Sequence, residues 1–504
     1  MTLSTVVAFE SRHLAVRIAG ASAAIPAVVS VRCATSFVCP LDGACDTVSG
    51  TMPRADSYVS VAIETGEEPK MLSVAEPDTP FRILVLGNFS GGAGRNRGVI
   101  EIDRDNFDAV LGLLAPEVQV AVGGAPLAIR FRELDDFHPD RLFASLPPFA
   151  ALRQLRQRLS DPATFAAAAA EIAPPGSGIG PPLANVSGAD LLRMMAGEAP
   201  APAKVPPRSQ WEQMLHELVA PYAAPRPDPR QSELIAQTDA AIAGQMRAIL
   251  HRPAFHSVEA LWRGLYFLTR RLETGENLKI FVLDAPQEEL VTDAGRAALR
   301  YELSAETWSA VAGLYEFGPM DEPALLRIAA LAREARAPFL AGVAPDAVGL
   351  SRVFAELRRS ADAPWIGLAL PRFLLRLPYG RETDETETFA FEEMPAVPEH
   401  ERYLWGHPAL ACAYLLGDAF TRHGWDFRPG ASHTIDGLPL HNFRSEGQPE
   451  VKPCAEVWLT EDAAEALLDA GFIPLASIKD TDRVRVIRFQ SVAAPATPLA
   501  GRWM

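Results

Sequence analysis

Cysteine is scarce: five residues in a chain of 504, too few for a disulfide framework at this size. Three of them, Cys33, Cys39 and Cys45, stand at C-x5-C spacings with only His13 as a remote fourth candidate. A zinc knuckle needs paired C-x-x-C hooks, so this stretch reads as part of a leader. Basic charge is also short, 47 Lys and Arg against 63 Asp and Glu, a net charge of −16. No cationic surplus is there to neutralise phosphates, which argues against nucleic acid as a partner. No apolar run reaches the roughly 18 residues that a membrane helix needs, so no membrane insertion is expected. The run Ile18 to Val31 follows Arg12, His13 and Arg17 as a signal peptide would, but Glu10 precedes it and Pro26 breaks it. A cytoplasmic location is the expectation, with Met52 and Met71 as alternative starts.

Catalytic signatures are missing as well. The stretch RILVLGNFSGGAGRNRG (Arg82 to Gly98) begins like a phosphate loop, an apolar strand feeding glycines. Counting from Gly87, Gly92 falls in place, but Ala93 stands where the phosphate-holding lysine belongs and Gly94 where the magnesium-binding hydroxyl belongs. A dinucleotide pattern starting at Gly92 and Gly94 would need glycine where Arg97 stands. Asp135, Asp136, His138 and Asp140 lie close together, yet carboxylates at a helix start answer to its exposed N–H groups without any metal. The histidines at 400, 407, 423, 433 and 441 form no HxxxH or HExxH pair, and no G-x-S-x-G elbow exists. No catalytic residue, cofactor or metal is expected. RETDETETFAFEE, with six acidic residues from Glu382 to Glu393, reads as a solvated loop. Gly264 and Gly342 read as packing or turn glycines.

What the chain has in abundance is proline, 43 residues clustered in connectors. Residues 1–75 carry no sustained period and read as a disordered leader. An α/β unit follows over 78–160. It comprises strand RILVLG, strand VIEI, a helix presenting Phe107, Val110, Leu111 and Leu114 after Asp103 and Asp105 as caps, strands VQVAVGG and PLAIRFREL, then helices from DDFHPDRLF and FAALRQLRQRL. Residues 161–230 form a proline-rich linker with two amphipathic islands, GADLLRMMAG and SQWEQMLHELV. Two long helices, strand LKIFVLD and a helix-to-strand handover at Phe339 to Val343 mark a second α/β unit over 231–495, and 496–504 is a tail. Near its end Thr460 reads as an N-cap and Gly471 as a helix stop. The expected class is therefore α/β: two domains with mixed sheets flanked by helices, joined by the linker.

PFRILVLGNFSGG, IDRDNFDAVL and FRELDDFHPDRLF make residues 78–160 resemble the small sheath subunit, TssB type, of bacterial type VI secretion systems. Residues 231–491 resemble the large sheath subunit, TssC type, through AGQMRAILHRPAFHSVEALWRGLYFL, WIGLALPRFLLRLPYG, YLWGHPALACAYLL and DAGFIPLASIKDTDRVRVIRFQS. The motif positions are Gly87, Gly91 and Gly92; Asp136; Trp262, Arg263 and Gly264; Pro371 and Arg372; Leu377, Pro378, Tyr379 and Gly380; Trp405 and Gly406. The resemblance implies structural work: subunits interlock into a helical sheath around a tube of Hcp-type rings, contraction drives the tube outward, and a ClpV-type ATPase recycles the sheath. Other sheath subunits, the tube, the baseplate and that ATPase are the implied partners, with pairs such as Arg270 and Arg271 suited to lattice contacts.

The chain departs from the pattern by fusing both subunits. It also stops at Met504, where the family's large subunit normally continues into a segment that knits neighbours. The helix that the ATPase recognises has no clear counterpart, LLRMMAG or WEQMLHELV being the substitutes. A non-polymerising accessory or baseplate-docking protein is the alternative reading, and a nucleotide-binding enzyme a distant third.

Overall fold

Strand RILVLG has apolar residues on both of its faces, which a strand needs when helices cover it front and back. In the computed structural model, which describes residues 7–10, 13–16, 79–92, 98–122, 125–172, 228–344, 349 and 353–503, it lies inside a nine-stranded sheet. The chain divides into two units, residues 1–73 and 74–504. In the first, where a leader without period was expected, β1 (Val7–Glu10) pairs antiparallel with β2 (His13–Val16). The cysteine triplet, the signal-like run, Arg95, Arg97 and both linker islands lie outside the described residues.

In the second unit the chain runs through β3 (Phe81–Gly87), β4 (Ile100–Ile102), α1 (Phe107–Leu114), the hairpin β5 (Glu117–Val122) and β6 (Ala125–Arg130), then α2 (Pro139–Ser145), α3 (Ala150–Ser160) and α4 (Phe165–Ile172). After the linker come α5 (Arg230–Leu250), α6 (Pro253–Arg271), β7 (Leu278–Asp284), α7 (Gln287–Leu290), α8 (Asp293–Ala305), β8 (Ala310–Phe317), α9 (Glu322–Ala335) and β9 (Phe339–Val343). The remainder is α10 (Ala355–Arg359), β10 (Ile366–Leu370), β11 (Phe373–Leu374), β12 (Trp405–Gly406), α11 (Pro408–His423), β13 (Thr434–Ile435), the hairpin β14 (His441–Ser445) and β15 (Gln448–Lys452), α12 (Glu461–Asp469), β16 (Phe472–Ser477) and β17 (Val484–Val486).

The sheet order is β13-β17-β16-β10-β9-β8-β3-β7-β4. The six strands from β16 to β7 are parallel, and β4, β17 and β13 are antiparallel at the edges. Alternation along each strand sends side chains to two cores. Ile83, Val85, Ile280 and Ala312 join α1, α5, α6 and α11 on one face, while Leu84, Leu86, Leu283 and Val311 join α8, α9 and α10 on the other.

The α/β class with a mixed sheet flanked by helices is what the structure shows, and both segments contribute strands to that one sheet. β3 of the first segment lies between two strands of the second, pairing with β7 from Phe81↔Leu278 to Gly87↔Asp284 and with β8 from Ile83↔Ala310 to Leu86↔Gly313. Boundaries shift accordingly. α4, expected as linker, packs Phe165 and Ala168 against Leu159, Leu234 and Ile235. The tail is anchored too: Leu499 is fully buried and Arg502 Nε donates to Trp308 O at 2.8 Å. Helix α1 starts from Asn106, while Asp103 Oδ1 accepts from Asp105 N and Asn106 N and closes the turn before it. Thr460 caps α12 as expected, accepting from Ala463 N, and Gly471 follows with φ +85°.

Candidate functional site: the interlock between the two segments

The two segments are in contact along the whole of β3. Trp262, in the WRGL motif of α6, is fully buried; its Nε1 donates to Phe89 O at 3.0 Å and its ring meets Phe89 and Phe107 edge-on. Burying an indole whose N–H is satisfied gives a large apolar contribution without a polar penalty. Gly87 lies below it, where a Cβ would come 3.2 Å from Leu261 Cδ2. Gly91 has φ +73° and leaves no room for a side chain, since a Cβ would stand 2.5 Å from Glu117 O. Gly92 has open space around it, so packing does not require glycine there. The first part of the apparent phosphate loop, through Gly92, thus makes a tight turn under α6, and Ser90 N donates to Asp284 Oδ1 at 3.1 Å.

Polar ties extend the interlock. Arg156 Nε reaches Asp239 Oδ1 at 2.6 Å, Lys279 Nζ reaches Glu101 at 3.0 Å, and Trp425 Nε1 donates to Thr79 O at 2.7 Å. Among the suspected metal ligands, Asp136 Oδ2 accepts from Arg132 N and Glu133 N. His138 Nδ1 accepts from Asp140 N, and the Asp140 carboxylate accepts from Glu387 N and Thr388 N across the segment boundary. Asp136 and His138 thus serve as local caps, Asp140 ties the two segments together, and no group of three or more potential metal ligands occurs among the described residues.

A second group of motif residues surrounds a buried charge network. Glu259 and Glu393 have fully buried side chains. Arg376 bridges them, Nε to Glu259 Oε1 at 2.8 Å and Nη1 to Glu393 Oε2 at 2.7 Å. Arg263 adds Nε to Glu259 Oε1 at 2.7 Å and Nη2 to the Tyr379 hydroxyl at 2.7 Å, while Tyr379 N donates to Glu393 Oε2 at 2.8 Å. Burial alone would raise both carboxyls. The Arg376 guanidinium, helped by Arg263, instead holds Glu259 below the usual range, and Arg376 with His251 brings Glu393 down to about 2. Burial pushes the Tyr379 hydroxyl up to about 12, keeping it neutral. The acidic run is therefore not solvated throughout: its last carboxylate is a core residue, and Thr386, Phe389 and Phe391 are buried with it. Pro378 O accepts from Thr383 Oγ1, and Arg376 Nη1 donates to Leu377 O at 3.1 Å. A Cβ on Gly380 would meet Glu392, one on Gly264 would stand 2.5 Å from Leu410 Cδ1, and one on Gly406 2.7 Å from Leu375 Cγ.

Cis-Pro371 leads into Arg372, which pairs with Glu456, Nε to Oε2 at 2.8 Å, beside half-covered His400. Trp405 Nε1 donates to His400 O, and the Lys452 ammonium lies 5.4 Å from its ring centre. Arg271 is bound internally, donating to Asp436 O and Gly437 O, so it is not a free lattice contact. Reading residues without their fold missed Glu259, Arg376 and Glu393, because a buried ion network has no local spacing. The signal available was Arg376 standing among apolar residues in the motif LPRFLLRLPYG.

No described helix is long and apolar enough to cross a membrane. Residues 232–305 and 351–493 match the family model "EvpB/VC_A0108, tail sheath N-terminal domain" (VipB). Residues 64–171 match "Type VI secretion system, VipA, VC_A0107 or Hcp2". Over 305 residues the chain is 31% identical to the type VI secretion system sheath protein TssC1 of Pseudomonas aeruginosa, spanning 52% of this chain and 61% of that protein. The chain belongs to the type VI secretion sheath proteins, with a VipA-type segment and a VipB-type segment joined in one polypeptide.

Proposed function

We propose that the chain is a structural subunit of a contractile sheath in a phage-tail-like injection apparatus, working in the cytoplasm by assembly and contraction rather than catalysis. The observation that carries this reading is β3, a strand of the VipA-type segment inserted between β7 and β8 of the following segment. A covalently joined pair supplies one rigid sheath unit, and free energy is then stored between units, where bistable packing switches an extended lattice to a contracted one. Other sheath subunits, an Hcp-type tube, the baseplate and a ClpV-type ATPase are the proposed partners. The motif residues described above serve as structural positions that hold the unit rigid.

Electron microscopy of the purified chain, alone and with an Hcp-type protein, tests this. Tubes or cogwheel rings are expected. Particles that remain single at high concentration in both conditions overturn assembly and leave the accessory, baseplate-docking role. Calorimetry with ATP, GTP and magnesium is expected to show no heat of binding.

A further inference from the structure

A cavity of about 580 Å³ opens at the carboxyl ends of the parallel strands, where Asn88 follows β3, Gln287 follows β7 and Glu316 ends β8. Its place in the fold is informative. From β3 the chain continues over the α1, α5 and α6 face, whereas from β8 it continues over the α9 face. Neighbouring strands whose connections leave on opposite faces create a crevice, and open α/β sheets bind ligands there.

The sheet is also irregular at this point. Between Ala312↔Leu340 and Glu316↔Gly342, β8 uses four residues where β9 uses two. Such a bulge splays strands and re-aims side chains. His407 fills the split: its Nε2 meets Tyr315 O at 3.0 Å, and a Cβ on Gly342 would stand 2.8 Å from that nitrogen.

The donors and acceptors on the cavity wall are unequal. Three of its donors are occupied, Arg372 by Glu456, Gln287 Nε2 by Glu316 O and His407 Nε2 by Tyr315 O, while His256 Nε2 is buried without a partner. Most of its acceptors are unpaired. Among the described residues the carboxylates of Glu288, Glu316 and Glu401 have no ion-pair partner, and Asn88 Oδ1 is buried without one. Glu316 is half-buried, and burial raises its carboxyl even though Arg372, committed to Glu456, pulls the other way. The Trp405 ring completes the wall. Several vacant acceptors, a net negative wall and an aromatic face fit a planar, donor-only cation, which is the chemistry of a guanidinium.

We propose that this crevice is a receptor for a guanidinium group, with Glu316 as its principal counter-charge. The group comes either on a free small molecule or as an arginine side chain of another polypeptide.

Calorimetric titration of the full chain with arginine methyl ester and with the capped peptide acetyl-Ala-Arg-Ala-amide tests it, the matching citrulline peptide serving as the uncharged control. Binding of both arginine probes identifies a site open to small molecules, and binding of the peptide alone identifies a polypeptide source. In either case the arginine peptide is expected to bind at least about tenfold tighter than the citrulline peptide. Glu316→Gln is expected to weaken it by at least about tenfold, and exposed Glu288→Gln, which lies outside the core, by about two- to threefold. Circular dichroism confirms that each variant is folded. No binding of either arginine probe, equal binding of the citrulline peptide, or unchanged affinity in both folded variants overturns the proposal.

Discussion

Two charged regions border α6, and they solve the burial of charge in opposite ways. Around Arg376 every carboxylate has its guanidinium, two of each, with both carboxylates fully buried. In the crevice at the ends of β3 and β8, Glu288, Glu316 and Glu401 border an opening without an ion pair of their own, the Arg372 guanidinium there being paired with Glu456. A closed network of that kind locks two distant stretches in register; an open one keeps its charge available. The difference teaches that acidic residues in this chain cannot be assigned by local density. Glu393, in the densest acidic run, is structural, while Glu316, alone among apolar neighbours, has no ion pair of its own.

The comparison can be broken by removing partners. Arg376→Leu leaves two buried carboxylates facing one remaining arginine, and a loss of about 3–5 kcal/mol is expected in urea unfolding; a loss below about 1 kcal/mol would mean the network is not closed. Trp262→Ala is expected to cost about 3–5 kcal/mol by opening a void between Phe89 and Phe107, measured the same way and accompanied by exposure of β3 to proteolysis.

Acid sharpens it further. Burial lowers His407 to about 4, so it is neutral in the fold. The unfolded chain binds this proton first, so stability is complete above about pH 6.5 and falls as pH drops towards 4, by about 3 kcal/mol. Glu393, held at about 2, adds a second loss as pH falls from the ordinary carboxylate range through 2. Thermal melts from pH 7 to pH 4 check the first step, which His407→Gln is expected to flatten. On the open side, Glu401→Gln and Gly92→Ala are expected to change stability by less than about 0.5 kcal/mol.

Much of the fold was legible in the residues. Helix α1 buries the four residues its period selects, and Thr460 caps α12. The single sheet was not legible, because nothing local to RILVLG says that its neighbours are strands about 200 residues downstream. The charge network and the unpaired crevice were hidden for the same reason. Each joins residues from α6, the β-strand ends and the loops after β10, and only tertiary folding brings those together.

The central place of β3 also bears on how the protein is made. Arg82 meets Ser309, 227 positions further along the chain. At about 5–20 residues per second, roughly 10–45 s of synthesis separates the two. Throughout that interval Ile83, Leu84, Val85 and Leu86, all destined for full burial, have no sheet to enter. Apolar on both faces, such a strand is prone to pair with other chains while it waits. The hairpin of β5 and β6, with α1 to α3, is complete early and is the natural shelter for it. Fusion of the segments ensures that the strand is already at hand when β7 and β8 emerge.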